Sequence, residues 1–527
     1  MDMKTILNHF ATEGSFEQKL LSPKMLNSMK QDKYSDFINE LETIKIKINS
    51  LLKQISPETA LHWHVEQSDP LIKEIASAGL LNRFSWLVAV AASGPERPSS
   101  KRAIEIYKLL GNYWIGIYVN SMITSTGTDD IDEWVASSAW LHRNSNQEIR
   151  FFWISKLMSE TLANLVHSSP HLITTIPELN HISVTELNNE LKSYIQDKRP
   201  QDRASGLHGE TLKLAKAISL KAGEYHHKSV DDLLSSSDYL DYPLIEFNDD
   251  SIHPIAPLRC IAYLEFALIQ LIERRAPGQK GEIFEALTKD CLSHFLPETQ
   301  PSLSPVFIKI NKEDTGETDL ALGDPLHFIG ECKARFSSKY KNTSRSFVSD
   351  FTNGFKQVSR RLEAIHENGF ARDSQGNIKK ASELVSGMVI LLQSYGSAAL
   401  DNELLKALDL PKNRRVLAAD LHSWILILST LDFPDEIHEY IKFRDKLFPL
   451  GIQAADEADL LIAFIGDHGK DLLRNARSVL LSDRPTLCIV RGQSISTDFA
   501  LETSMPSIGN KDSWRRIFYN STFGVKI

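Results

Sequence analysis

Paired cysteines are missing from this chain: its four, Cys260, Cys291, Cys332 and Cys488, are spread over 527 residues with no Cys-x-x-Cys among them. That spacing excludes a disulfide framework and a zinc ribbon, and it fits reduced thiols in a cytosol. The opening residues, MDMKTILNHFATEGSFEQKL, hold no basic segment followed by an apolar one, so no secretory leader is expected. Uninterrupted apolar stretches of membrane length are lacking as well. The most apolar long run, IAPLRCIAYLEFALIQLI, is broken by Arg259 and Glu265 and reads as a buried helix. There is no G-x-x-x-x-G-K-[ST] loop and no G-x-S-x-G elbow, which argues against ATP-driven translocation by this chain and against serine-hydrolase chemistry. A cytoplasmic protein with no membrane partner is the expectation.

An excess of positive charge is absent too. The 59 basic residues are outnumbered by 68 acidic ones, for a net charge of -9, so a nucleic-acid partner would have to meet a local basic surface. The composition, 42% hydrophobic and 24% charged, is that of an ordinary globular protein, and 527 residues exceed what one core usually serves.

Apolar residues recur at helical spacing from Met1 to about Ile195, as in DFINELETIKIKINSLLKQI and EIRFFWISKLMSETLANLVH. No fixed-period repeat is evident. The polar, Gly- and Pro-containing stretch Gln196 to Glu210 marks the best boundary, and more helical segments follow it. Near Arg274 the texture changes to short apolar runs of strand length: PVFIKI, TDLALG, LHFIGECKA, GMVILLQSY, SWILILSTL, DLLIAFIG and TLCIVRG. The expected architecture is therefore multidomain. It comprises an all-α domain over 1–200, a helical connector over 201–272 and an α/β domain over 273–527, with a central sheet and an irregular tail after about Gly492.

Within ETDLALGDPLHFIGECKARF, Asp319 opens a short strand, Gly323, Asp324 and Pro325 make a turn, and a second strand follows, so a hairpin is expected. Glu331 and Lys333 stand two apart and project from one face, while Cys332 projects from the other. The hairpin can bring Asp319 beside Glu331, gathering two carboxylates and an ammonium around one point. Two hard oxygen ligands suit Mg²⁺ or Mn²⁺, and the backbone carbonyl of Cys332 offers another. An alternation of charges on a solvated face would produce the same Glu-x-Lys. This strand is otherwise apolar, however, and charges there need a reason.

Asp319, eleven residues, then Glu331-Cys332-Lys333 resembles the PD-(D/E)XK nuclease superfamily, which has the restriction-endonuclease-like fold. The resemblance covers about Arg274 to Ile465, and Thr318 stands where many members have proline. KGEIFEALTKDCLSHFL is similar to the first core helix of the family. Glu285 is its matching acidic residue and Glu282 the alternative one turn away. GFKQVSRRLEAI resembles the helix that carries a glutamine, here Gln357, whose role would be at the metal water or substrate, or simply as part of a polar helix face. Arg335, Lys339, Lys341 and Arg345, around Tyr340, are candidates for phosphate contacts or else parts of a solvated loop, and Arg360 and Arg361 share that ambiguity.

The resemblance implies a central mixed sheet flanked by helices and a Mg²⁺- or Mn²⁺-dependent endonuclease. Asp319, Glu331, Glu285 and the Cys332 carbonyl would be at its metal, with Lys333 and Gln357 beside them. DNA is the expected substrate in preference to RNA, in a prokaryotic anti-phage or foreign-DNA defence setting, with the helical half regulating the nuclease. A homo-oligomer is expected, because two active sites are needed to cut both strands promptly. The alternative is a non-catalytic nucleic-acid-binding or protein-interaction scaffold on a nuclease-like fold.

Overall fold

The apolar run ending in GMVIL closes the longest described strand, Ile378–Leu391, and the main sheet is arranged around it. The structure is a computed structural model. It describes residues 2–12, 16–61, 69–77, 80–125, 150–196, 207, 211–236, 238–247, 251–255, 257–296, 304–310, 315–335, 348–395, 410, 415–447, 452–454, 457–467, 470, 473–474 and 488–490. Most of the expected boundary, Gln196 to Glu210, and the tail after about Gly492 lie outside the described residues. Among the described residues no helix is long and apolar enough to cross a membrane. Most of the described regular structure is helical, accompanied by a mixed sheet of seven strands.

The chain divides into two compact units. The first holds Met1–Asn146 and Ile176–Leu271. Helix Tyr34–Leu52 shows how its sequence specifies structure: Phe37, Leu41, Ile44, Ile48 and Leu51 recur every three or four residues and are all buried. This unit also contains a three-stranded sheet. Ser219–Lys221 pairs in parallel with Leu244–Glu246, which pairs antiparallel with Ile252–Pro254. The helical connector expected over 201–272 holds these three strands as well as helices. Strands of three residues are too short for a period-two pattern to register.

The second unit holds Gln147–Thr175 and the described residues from Ile272 onward, so its borders differ from a division near residue 200. The physical reason is a set of buried contacts made by α1 (Phe152–Ser168) and the residues just before it. The ring of Trp153 meets Phe295 edge-on with centroids 5.9 Å apart, and the Phe151 N–H donates to His422 Nε2 at 3.0 Å. The buried Arg150 guanidinium lies 3.9 Å from the Asp420 carboxylate.

Next in this unit come α2 (Lys280–Ser293), β1 (Val306–Lys309), β2 (Thr315–Glu317), β3 (Leu320–Leu322) and β4 (Leu326–Lys333). They are followed by α3 (Asn353–Asn368), β5 (Phe370–Asp373), β6 (Ile378–Leu391) and β7 (Val416–Asp420). The sheet order is β2-β1-β5-β6-β4-β3, with β7 also on β6. β3 and β4 form the antiparallel hairpin, Leu320 opposite Gly330, through a turn at which Gly323 takes a φ of 97°. β4 and β6 run parallel, Glu331 opposite Val389, and β7 runs parallel to β6, Val416 opposite Gly387.

Two segments expected as strands are helices, α4 (Leu421–Thr430, from SWILILSTL) and α6 (Glu457–Asp467, from DLLIAFIG), with α5 (Asp435–Leu447) between them. A run that is apolar throughout has no period to separate a buried strand from a buried helix. The local starting signals favour helices: Asp420 Oδ1 accepts the Ser423 N–H at 2.7 Å, and Glu457 and Asp459 stand in the first turn of α6.

The sheet receives α3 on one face, and Gly387 allows the close approach. A Cβ there would lie 2.3 Å from Val358 Cγ1 and 3.0 Å from Val416 Cγ2. Gly387→Ala is expected to destabilise the protein by about 1–3 kcal/mol, read as a lower urea midpoint with unchanged m-value.

The other face receives α5 through His438. Its imidazole is 5% exposed, stacks on Phe328 at 4.4 Å and lies 2.8 Å from Ser386 Oγ through Nδ1. Burial, and then the nearby His327, hold its pKa down at about 4 from an ordinary 6.5. Folding thus disfavours its protonation. Its stability contribution is complete above the unfolded value and is lost as pH falls towards 4. Between pH 6.5 and 4.5 the loss through this group is expected to be about 2 kcal/mol, and His438→Gln should remove that part of the pH dependence.

Candidate active site

The β3–β4 hairpin brings Asp319 to the end of β4. Its own N–H donates to the Gly330 carbonyl at 3.1 Å, and its Oδ2 accepts the Cys332 N–H at 2.6 Å. Alternation along β4 then separates the next three side chains. Glu331 and Lys333 face α3, whereas the Cys332 thiol points to Thr288 of α2, where burial raises its pKa.

Glu331 is 4% exposed, and each of its oxygens is held by a cation. Lys333 Nζ donates to Oε2 at 3.1 Å, and Arg361 Nη1 donates to Oε1. Lys333 Nζ donates a second time, to Gln357 Oε1 at 2.9 Å. Gln357 and Arg361 are four apart on α3 and so share a helix face. One engages the strand's lysine and the other its glutamate. The side chain of Arg361 crosses Gly316 of β2, where a Cβ would lie 3.0 Å from Nε.

Glu285 on α2 is partly exposed and pairs with Lys289, while Glu282 is exposed in the first turn. Of these two alternatives, Glu285 is the one whose charge reaches Asp319. Burial, then the charge of Glu331 and more weakly that of Glu285, push the Asp319 carboxyl up to about 6, against the Cys332 N–H, which favours the anion. Among the described residues no three of His, Cys, Asp and Glu converge as a ready metal cage. The carboxylates lie near one another, but each has a partner.

Arg335, just beyond β4, is exposed, and its Nη1 donates to Ser349 Oγ at 2.6 Å. Its Nε lies 3.7 Å from Asp350, a buried carboxylate in the turn Val348–Thr352 ahead of α3. Burial raises Asp350 to about 6, opposed by the charge of Arg335. Lys339, Lys341 and Arg345 lie outside the described residues. Nothing local in the sequence marks the pairing of Asp350 with Arg335 or of Arg361 with Glu331. The only signal is a lone acid in SFVSDFT and a second arginine after Gln357.

Comparison with protein-family models, with curated proteins and with solved structures yields no match to this chain. The arrangement of side chains is therefore what speaks to chemistry.

The raised Asp319 pKa has a consequence for stability. A carboxylate that holds its proton more tightly when folded lowers stability as pH rises from about 4 to about 6, and the full cost remains above that. In EDTA at pH 7.5, Asp319→Asn should be more stable than wild type by about 1–2 kcal/mol, allowing for partial exposure, with the difference vanishing near pH 4. Equal melting temperatures at both pH values would show that Asp319 bears no such burden.

Proposed function

We propose that the sheet-bearing unit is a metal-dependent endonuclease of restriction-endonuclease-like fold that hydrolyses phosphodiester bonds of DNA. The observation that carries this reading is the convergence of Asp319, Glu331, Lys333 and Gln357, contributed by a hairpin and a helix that is packed on it. Lysine and glutamate on a mostly buried strand end are costly to a fold unless they serve a purpose.

The donor set fits a hard divalent cation. Asp319, Glu331 and Glu285 would supply carboxylate oxygens, and the Cys332 carbonyl, between the Glu331 and Lys333 side chains in sequence, would add another, so Mg²⁺ or Mn²⁺ is the matching ion. When bound, such an ion polarises a phosphodiester and acidifies its water. Lys333 uses two of its three N–H donors on Glu331 and Gln357, so the third would serve a phosphate or attacking water. Gln357 holds that ammonium in place. Arg335, steadied by Ser349, is suited to a backbone phosphate outside the reacting centre.

The remaining parts of the reading are the N-terminal helices as an all-α regulatory domain, a homo-oligomer, a cytoplasmic location and a role in prokaryotic defence against foreign DNA. They rest on the family resemblance of the Asp319, Glu331 and Lys333 pattern. A non-catalytic scaffold is the competing reading, favoured by the occupation of both Glu331 oxygens by cations.

The test incubates the full chain with linear, circular and single-stranded DNA and with RNA, in Mg²⁺, Mn²⁺ or EDTA. Cutting of DNA is expected only with metal, and Lys333→Ala and Asp319→Ala should each lower the rate by at least about 100-fold. Binding without cutting in every condition would favour the scaffold. Cutting that survives both substitutions would place the chemistry elsewhere.

A further inference from the structure

Charges around Glu331 are balanced before any metal arrives. Asp319 and Glu331 contribute two negative charges, and Lys333 and Arg361 two positive ones. Glu285 is offset by Lys289. A site that is to take a divalent cation needs a net negative set of donors, and this one sums to zero while Arg361 remains on Glu331. The Arg361–Glu331 pair is not a loose surface contact either: the side chains are 14% and 6% exposed, so it is screened little by salt. Arg361 is also held in position. Its stem crosses Gly316, and it extends from the same helix that engages Lys333 through Gln357.

From this geometry we infer that Arg361 is the resting counter-ion of the metal site: its guanidinium occupies Glu331 Oε1 and competes with the divalent cation for that carboxylate. The inference rests on the reading of this cluster as a metal centre. Metal entry then requires Arg361 to swing away, which frees Oε1 and leaves the donor set negative. The lysine is a different case. Lys333 is shared between Glu331 and Gln357 and remains in place as part of the reacting centre. Metal affinity is thereby held down by a side chain of the fold, and an otherwise complete site resists loading at low metal concentration.

The experiment titrates Mn²⁺ into the full chain without nucleic acid, following the Mn²⁺ spin-resonance signal, for wild type, Arg361→Met, Arg361→Lys and the double variant Arg361→Met with Glu331→Gln. Arg361→Met keeps an apolar stem across Gly316 and removes the charge. It should tighten Mn²⁺ binding about tenfold or more. Arg361→Lys should stay within a few-fold of wild type, and the double variant should lose the gain, because the gain passes through Glu331. If Arg361→Met does not fold, as judged by circular dichroism, Arg361→Gln carries the same expectation, since it removes the charge and is too short to span the same reach to Oε1. Equal or weaker Mn²⁺ binding by a folded neutral variant overturns the role of Arg361 and leaves the metal centre standing. Absence of Mn²⁺ binding in wild type and every variant overturns the metal centre itself, and this inference with it.

Discussion

A carboxylate that is 4% exposed must be neutralised, and Glu331 is such a group at the end of a strand that is buried for most of its length. Left without a partner, a buried charge of this kind costs about 3–5 kcal/mol. Lys333 and Arg361 meet the requirement, one from the same strand and one from α3. The position of α3 on the sheet is thus fixed twice. Its apolar side, with Phe355, Val358 and Ile365 buried, packs on β4 and β6, and its polar side closes the charge balance at Glu331. Gly387 of β6 lies under the helix, and Gly354 stands in the helix's own first turn, each where a side chain would hold helix and sheet apart: a Cβ at Gly354 would lie 2.8 Å from Val389 Cγ1.

The opposite face of the same sheet has little charge to manage and is built for packing. There the Cys332 thiol is buried beside Thr288, Phe328 stacks on His438, and Trp424 Nε1 donates to the Val389 carbonyl at 3.2 Å. Asp420 is paired there: it caps α4 and faces Arg150. A rigid apolar face of this kind lets the other side carry a cluster of carboxylates that repel one another. Burial first, and then that repulsion, raise the pKa of Asp319. In the proposed nuclease, groups that destabilise the fold are the ones aimed at metal and phosphate, and the packing beneath them keeps their geometry.

Much of this was legible along the chain. The alternation in HFIGECK assigns Glu331 and Lys333 to one face and Cys332 to the other, and Gly323-Asp324-Pro325 specifies the hairpin that carries Asp319 to β4. The amphipathic pattern of GFKQVSRRLEAI, ending before Gly369 with its φ of 74°, is likewise a complete helix signal. These features are set by neighbours within a turn or a strand length. SWILILSTL and DLLIAFIG are helices that look like strands, because a segment that is apolar all round has lost the period that would identify it.

Other features depend on which elements meet, and no local pattern encodes that. The segment 147–175 looks like any other helix of the N-terminal half, yet Phe151 and Trp153 find their partners beyond residue 290. Arg361 reaches Glu331 across 30 positions, and Asp350 meets Arg335 across 15. The sequence by itself determined the strand faces, the hairpin and the residue types at the site. The tertiary structure decided which charges are paired, because ion pairing follows distance and burial in space, and helix-to-sheet packing sets both.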